Sequence, residues 1–430
     1  MGYKKNIASN FLTQISISVL AFLVSIIVSR VLGPEVKGIS VSFLLFFQTL
    51  GQYGHFGITY ATPYFSKKTE YTSLEVFNSN FTYTIVICLT MSITVIFGKG
   101  FGFIFSEYSY FMVIVGVCIL TFTMMAEFLS TFYISNERIV EVNRINLNSN
   151  ILKLGTIFVL WLTNTLNLYT YLLVISFPVI FNSIFLIKNL KINFRFVLDK
   201  ILIKKEFKFG LTIYLATLFI FMNYKIDQFF IDIMIGNEEL GIYATAVSLA
   251  ELLFMIPGSV SSAILGRLYN MSNSSEEERK RLTSNTIKVT FYITLVLMII
   301  GILCTALIPI VYGELYRDAI TPTIILFIGI LFASIGRVSS SYFQSSGNPK
   351  VHLYITFIVF AVNVVFNACL IPVMGINGAA VASSISYAVY GIVYVIIFIK
   401  KENFTFEGLF LFNKEEINSI KGLKNKILKK

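Results

Sequence analysis

Continuous apolar runs of about twenty residues recur along almost the whole chain, and they restrict it more than any other feature. A run of that length crosses the hydrocarbon core of a bilayer as a helix, and inside lipid only helices or closed barrels satisfy their own backbone polar groups. Barrel strands alternate apolar and polar residues, whereas these runs are unbroken, so the chain reads as an all-α integral membrane protein. Its 56% hydrophobic and 13% charged residues, with a mean hydropathy of +0.77, exclude an ordinary soluble domain. Spans are expected near 10–31, 39–57, 80–98, 110–134, 149–163, 168–187, 209–233, 240–265, 288–311, 322–343, 352–371 and 378–399, about twelve in all.

A formal charge of +11 would suit a nucleic-acid binder, but its placement argues for membrane topology, and no nucleic-acid partner is expected. Of the 34 Lys and Arg, 28 fall on one side of the expected helices; Arg30, Lys37, Lys99 and Arg317 fall on the other, and Lys225 and Arg337 lie inside spans. The positive-inside rule then puts both termini in the cytoplasm. The first apolar run is long and lacks a small-residue cleavage site, so it is expected to stay as a helix. Cys88, Cys118, Cys304 and Cys369 all sit within spans and suggest neither a disulfide framework nor a zinc site. The expected loops leave no soluble domain for an active site, and nothing resembles a nucleotide-binding loop. Neither enzyme activity nor a bound cofactor or metal is expected.

The chain also writes one short phrase twice. LGPEVKGIS at 32–40 joins the first two spans, and IGNEELGIY at 235–243 joins the seventh and eighth, 203 positions later. Carried forward without a gap, that offset sets Gln48 opposite Glu251. Six spans is an even number, so both halves begin on the same side and form a parallel repeat of two six-helix lobes about a pseudo-twofold axis. The lobes are read as 1–190 and 209–400, joined by a basic cytoplasmic linker at 191–208 and followed by a tail at 401–430. In that tail Ile417, Ile420 and Ile427 share a helical face among lysines, which reads as a basic amphipathic helix on the inner leaflet or as a disordered polybasic end.

Ser29-Arg30-Val31-Leu32-Gly33-Pro34-Glu35 followed by Gly38 resembles the end of the first helix in Wzx-type polysaccharide flippases. Those belong to the superfamily that also holds MATE-type multidrug extruders and peptidoglycan-precursor flippases. Lys225-Ile226-Asp227-Gln228-Phe229-Phe230-Ile231 running into IGNEELGIYATA, then Gly347-Asn348-Pro349-Lys350, then LIPVMGINGAAVASSIS at 370–386 extend the resemblance from end to end. It implies a flippase in the bacterial inner membrane that turns an undecaprenyl-pyrophosphate-linked oligosaccharide from the inner to the outer leaflet. The product would be O-antigen, capsule or another exopolysaccharide, with a polymerase and other assembly proteins as partners.

Such a task needs a polar cleft, open to lipid at its side, that offers positive charge to phosphate. Charges inside spans are the candidates, since each costs roughly 2.5–3.5 kcal/mol at a helix centre. Lys225 and Arg337, with Arg30 at a helix end, are candidate phosphate and sugar contacts; the alternative is packing, Lys225 with Asp227 or Arg337 with Glu127. Glu251, Glu127 and Asp227 are candidate carriers for H⁺ or Na⁺ coupling, or structural acids. Pro257 and Gly258 form a candidate hinge, while Gly329 and Gly336 suit bending or close packing. His55 reads as a packing residue. Tyr rings could stack on sugars, but most Phe reads as facing lipid or core and Tyr clusters such as Tyr108 and Tyr110 as interfacial belts, so no sugar site is assigned to them. A MATE-type cation-coupled exporter of small molecules is the first alternative, and would favour acids in its cleft. A membrane polymerase or ligase is the second, against the short expected outer loops, and a scaffold is the third.

Overall fold

The computed structural model describes residues 3–68, 70–190, 192, 194–271, 275–345, 349–402 and 405–411. Every regular element among them is helical: α1 (Tyr3–Tyr53), α2 (Ile58–Lys68), α3 (Ser73–Gly100), α4 (Tyr110–Ser135), α5 (Ile139–Leu162), α6 (Leu168–Leu190), α7 (Lys200–Met234), α8 (Asn237–Asn270), α9 (Glu276–Cys304), α10 (Ile308–Tyr312), α11 (Ile320–Ser345), α12 (Pro349–Glu402) and α13 (Phe406–Phe410), with 3₁₀ turns at Thr305–Leu307 and Glu314–Ala319. Ten of the described helical segments are long and apolar enough to cross a membrane.

Two of them are too long for one crossing. As straight rods, the 51 residues of α1 and the 54 of α12 would be roughly 75–80 Å long, well over twice the hydrocarbon thickness. Each is broken at one glycine: Gly33 in α1 (φ 75°, ψ 173°) and Gly375 in α12 (φ 57°, ψ −138°). Side chains rarely adopt such angles, so glycine is what lets the chain turn there without leaving helix on either side.

Local capping explains where the expected boundaries were wrong. Thr72 and Glu75 form a reciprocal capping box, which starts α3 at Ser73 instead of near 80. Asp199 Oδ1 accepts from the backbone nitrogens of Ile201 and Leu202 at 2.8 and 3.0 Å, so α7 begins at Lys200 and absorbs the second half of the expected 191–208 linker. That extension is packed: Glu206 is fully buried, Asn80 Nδ2 donates to its Oε1 at 2.9 Å, and Gly210 lies against the Gly57 carbonyl. α5 starts at Ile139 instead of 149, with Arg138 paired to Glu141 at 2.6 Å, because its polar first turns are buried at Asn143 and Ser149. The expected tail helix lies outside the described residues beyond 411. Before it, α13 docks on α9, where Ser284 Oγ and Tyr292 Oη donate to the Gly408 and Phe410 carbonyls.

The core divides into one set of clusters among α3–α6 and the second arm of α1, and another among α8–α12. They meet where α1 packs on α8. There the twice-written phrases touch each other. A Cβ added to Gly38 would lie 1.6 Å from the Asn237 carbonyl oxygen, and one added to Gly241 would lie 1.9 Å from that of Pro34. Gly38 matches Gly241 and Pro34 matches Asn237 under the 203-residue offset, so the contact is reciprocal, as in an isologous interface. The first glycines of the two phrases also match: Gly236 (φ 130°, ψ −175°) makes the same kind of turn as Gly33. Each phrase thus uses one glycine to turn and one to let the helices cross backbone on backbone. Gly329 and Gly336 are packed closely too, against Ser384 and the Tyr390 ring, whereas a Cβ on Gly258 would meet nothing within 4 Å.

Gly38→Ala and Gly258→Ala should therefore move stability in opposite directions in detergent-solubilised protein. The first is expected to lower the thermal midpoint by the equivalent of roughly 1–3 kcal/mol through overpacking. The second should raise it by up to about 1 kcal/mol through helix propensity. Equal effects would contradict the crossing.

Candidate functional site: a charged cleft and the junction that closes one end of it

Two adjoining cavities open along α7 and α8, and the first of them also faces the second arm of α1. The first, about 210 Å³, is lined by Gln48 and Gln52 of α1, Lys225 and Gln228 of α7, and Ser248 and Glu251 of α8. Gln48 and Glu251, which the repeat register sets opposite one another, share its wall. The second, about 170 Å³, lies among the C-terminal helices and is lined by Tyr224, Lys225, Phe254, Arg337 and Tyr387, with Asp227 behind them. Lys225 and Glu251 stand on the boundary of both, joined Nζ to Oε1 at 3.0 Å, and the Glu251 side chain remains 61% exposed.

Neither packing pair considered from the sequence forms. Lys225 pairs with Glu251 and not with Asp227. Asp227 is 2% exposed and saturated: Tyr243 Oη donates to its Oδ2 at 2.6 Å, Ser383 Oγ at 3.0 Å, and the Gln228 backbone N–H to Oδ1 at 2.8 Å. This is a structural acid tying α7 to α8 and α12. A ladder of amides continues the tie, Asn363 Nδ2 donating to Asn223 and Asn367 Nδ2 to Asn363. Their i, i+4 spacing within an apolar run was the available signal, and it went unused.

Arg337 projects into the second cavity with its guanidinium 4.8 Å from the centre of the Phe254 ring and 5.5 Å from that of Tyr224. Its Nε is buried without a hydrogen-bond partner, and no carboxylate among the described residues pairs with it. Glu127 is half-buried on α4, near the Tyr53 and Tyr60 phenols, outside both cavities and without a recorded partner. Pro257 and Gly258 lie inside α8, whose backbone stays helical there. His55 is buried with both ring nitrogens unbonded.

At one end of the cleft, α1 meets α8 and α10 in a polar junction. Lys37, counted from the sequence with the charges on the outer side of the spans, is 5% exposed. Its Nζ donates to Thr245 Oγ1 at 2.6 Å, Ser29 Oγ at 2.7 Å and Ser25 Oγ at 3.5 Å, and stands 5.6 and 5.4 Å from the Tyr312 and Tyr316 ring centres. The physical reason is legible in the repeat: the partner of position 37 is Leu240, a core residue. Arg30 lies outside the cleft, its Nε donating to the Val311 carbonyl at 2.6 Å and its Nη2 to that of Ile310. On the other side of the crossing, Ser42 Oγ donates to Asp232 Oδ2 at 2.5 Å, and positions 42 and 232 match 245 and 29 under the 203-residue offset.

A two-sided helical assembly with a charged cleft, closed at one end by contacts between its halves, is the architecture of a transporter. The chain matches the family model described as "Polysaccharide biosynthesis protein" over residues 3–269 and belongs to that family. It also matches the MatE model over 213–369. Its relatives include a "Putative O-antigen transporter" of Shigella flexneri, 26% identical over 161 residues, which are 37% of this chain and 38% of the relative. The "Capsular polysaccharide biosynthesis protein CapF" of Staphylococcus aureus is 25% identical over 175 residues, 40% of this chain and 44% of the relative, so under half of each is spanned. Among solved structures, "Lipid II flippase MurJ, inward closed conformation" superposes with a TM-score of 0.74 over 97% of this chain and 92% of that one at 17% identity. An inward-facing multidrug transporter of the MATE family gives 0.70 over 88% and 93% at 14% identity. The fold is theirs, and the protein crosses the membrane many times.

The two acids of the site should separate in stability measurements. Asp227→Ala leaves three donors without an acceptor, at about 1–3 kcal/mol for each one buried. Glu251→Gln removes a largely exposed ion pair and should change stability by less than about 1 kcal/mol. Thermal unfolding of the two variants in detergent checks the contrast.

Proposed function

We propose that this protein is a flippase for lipid-linked oligosaccharide, carrying the sugar and pyrophosphate of a polyprenyl-linked repeat unit from the inner to the outer leaflet of a bacterial cytoplasmic membrane. Twelve crossings in two six-helix lobes, with both termini cytoplasmic, place the Lys37 junction at the outer face. The cleft is then closed outward, and substrate enters from the inner side. The observation that carries the reading is Arg337, a buried cation that forms no ion pair among the described residues although Asp227 and Glu251 stand in the same cavity wall, beside a lysine whose acid partner is exposed. Guanidinium and ammonium together suit an anionic headgroup. Gln48, Gln52, Gln228 and Ser248 offer neutral donors and acceptors to sugar hydroxyls, and Tyr224 and Tyr387 offer ring faces.

Rocking of the lobes would be driven by H⁺ or Na⁺, with Glu251 and Glu127 the carboxylates free to take part. Asp227 belongs to the packing. Export of small cations is the second reading, because Glu251 is exposed and the second half matches the MatE model. In either reading the protein transforms nothing chemically, and a polymerase and assembly proteins act on the polysaccharide downstream.

The test is deletion of the gene in its native host, with lipid extraction and complementation. Build-up of single lipid-linked repeat units on the inner leaflet, with loss of surface polymer and rescue by the intact gene, is the expected result. Units stranded on the outer leaflet would indicate polymerisation instead, and unchanged polymer with new sensitivity to cationic dyes would indicate a drug exporter. Arg337→Ala should insert normally and lower export at least roughly thirtyfold, the lower end of what losing one partner of a desolvated charged contact costs. Wild-type export by that variant would return Arg337 to a packing role.

A further inference from the structure

The turn at Gly33 is made again at Gly236, but its two cations are not. The repeat partners of Arg30 and Lys37 are Ile233, which is 82% exposed, and Leu240, which is buried in the core. The second copy therefore turns, crosses and packs without either charge, and neither is required by the turn. A buried lysine is costly, and one that serves only to hold two halves together would normally be met by a carboxylate. Here every group that Lys37 and Arg30 engage on the C-terminal helices is neutral: the Thr245 hydroxyl, the Ile310 and Val311 carbonyls, and the Tyr312 and Tyr316 rings. Neither cation has an ion-pair partner among the described residues.

All of those partners belong to α8, α10 and the 3₁₀ turn after α10. Parting α1 from them leaves Lys37 with Ser25 and Ser29 of its own helix pair, and leaves Arg30 with none of its recorded bonds. Two cations then face a newly opened crevice with unused donors, one a planar fork and the other a point charge. Phosphate oxygens make shorter and stronger bonds to such donors than hydroxyls and carbonyls do. An anion that binds only the parted form draws the equilibrium toward it by its differential affinity.

We infer that Lys37 and Arg30 form a second anion site, for the pyrophosphate of the transported lipid, that exists only when the junction is open; in the closed form the junction's neutral oxygens and rings occupy it. Substrate anion leaving Lys225 and Arg337 would be received at Lys37 and Arg30, and its binding there would hold the outer face open for release. This rests on the flippase reading above.

The test uses the full chain, its four cysteines replaced by serine, with spin labels at Glu35→Cys and Asp318→Cys, in nanodiscs of phosphatidylcholine alone. Inorganic pyrophosphate is the probe, and the distance distribution between the labels is the readout. The expected result is a long-distance population in wild type whose ratio to the short one rises roughly tenfold at about ten times the dissociation constant. Lys37→Gln should show the long distance without ligand and no response to pyrophosphate. Arg30→Gln, at an exposed side chain, should respond with weakened affinity, and it covers the case in which Lys37→Gln does not fold. A wild type that does not respond, or a folded Lys37→Gln variant that responds like wild type, overturns the site. Opening by phosphatidylglycerol nanodiscs without pyrophosphate would assign the site to bilayer headgroups and overturn the substrate assignment. If lipid-linked units fail to accumulate in the deletion strain while pyrophosphate still opens wild type through Lys37, the flippase reading fails and the anion site stands.

Discussion

The crossing of α1 and α8 at Gly38 and Gly241 sets the geometry of everything around the cleft. Lipid tails are as apolar as leucine, so no hydrophobic force drives membrane helices together, and association depends on close packing and on hydrogen bonds between helices. Two glycines facing two carbonyls bring the backbones nearer than any side chain permits. The hydroxyls of Ser29, Ser42 and Thr245 can then span the gap, through Lys37 on one side and to Asp232 on the other. A methyl group at either glycine would push these partners out of reach. The polar junction therefore follows from the crossing, and the cleft exists because the helices diverge from it.

Polar groups away from that crossing fall into two kinds, and depth in the membrane does not separate them. Partners do. Asp227 and Lys37 have donors or acceptors supplied by neighbouring helices, and Asn363 donates across to Asn223, so each replaces water it lost. Arg337 has an orphan Nε, and Glu251, though it accepts from Lys225, leaves its side chain 61% exposed. An unsatisfied buried group costs about 1–3 kcal/mol, and Arg337 combines one with a place on a cavity wall. That combination favours Arg337 for ligand contact, while the bonds of Asp227 tie it to α8 and α12.

The sequence reading was sound where the signal was continuous and failed where it was relational. Apolar runs identified the helices, because lipid tolerates nothing else, and both breaks fall where glycine interrupts a run. Polar first turns hid the starts of α5 and α7, since burial of Asn143, Ser149 and Glu206 against neighbouring helices leaves no mark in hydropathy. Lys37 was counted with the outer-side charges, and its burial among Ser25, Ser29 and Thr245 was not read from the sequence. The 203-residue register, already in hand, pairs it with Leu240 and so carried the correction. Lys225 and Glu251 are 26 residues apart on different helices, and no spacing rule finds such a pair. Arg337 and Lys225 were legible as charges in apolar runs, but no aromatic residue was assigned to the wall around them.

What the two halves do not share is as informative as what they do. The turn and the crossing are written twice, yet Lys225 and Glu251 stand where the first half has Phe22 and Gln48, and Phe22 packs into the apolar cluster around Tyr243. Arg337 and Glu127 each sit on the fourth long helix of their half with opposite charge. The cavity chemistry is thus concentrated on the C-terminal helices, while the first half supplies amides and, at the junction, the two cations of the turn. Under the proposed function, this asymmetry of charge would lead an anion from the C-terminal wall at Arg337 toward the N-terminal rim at Lys37.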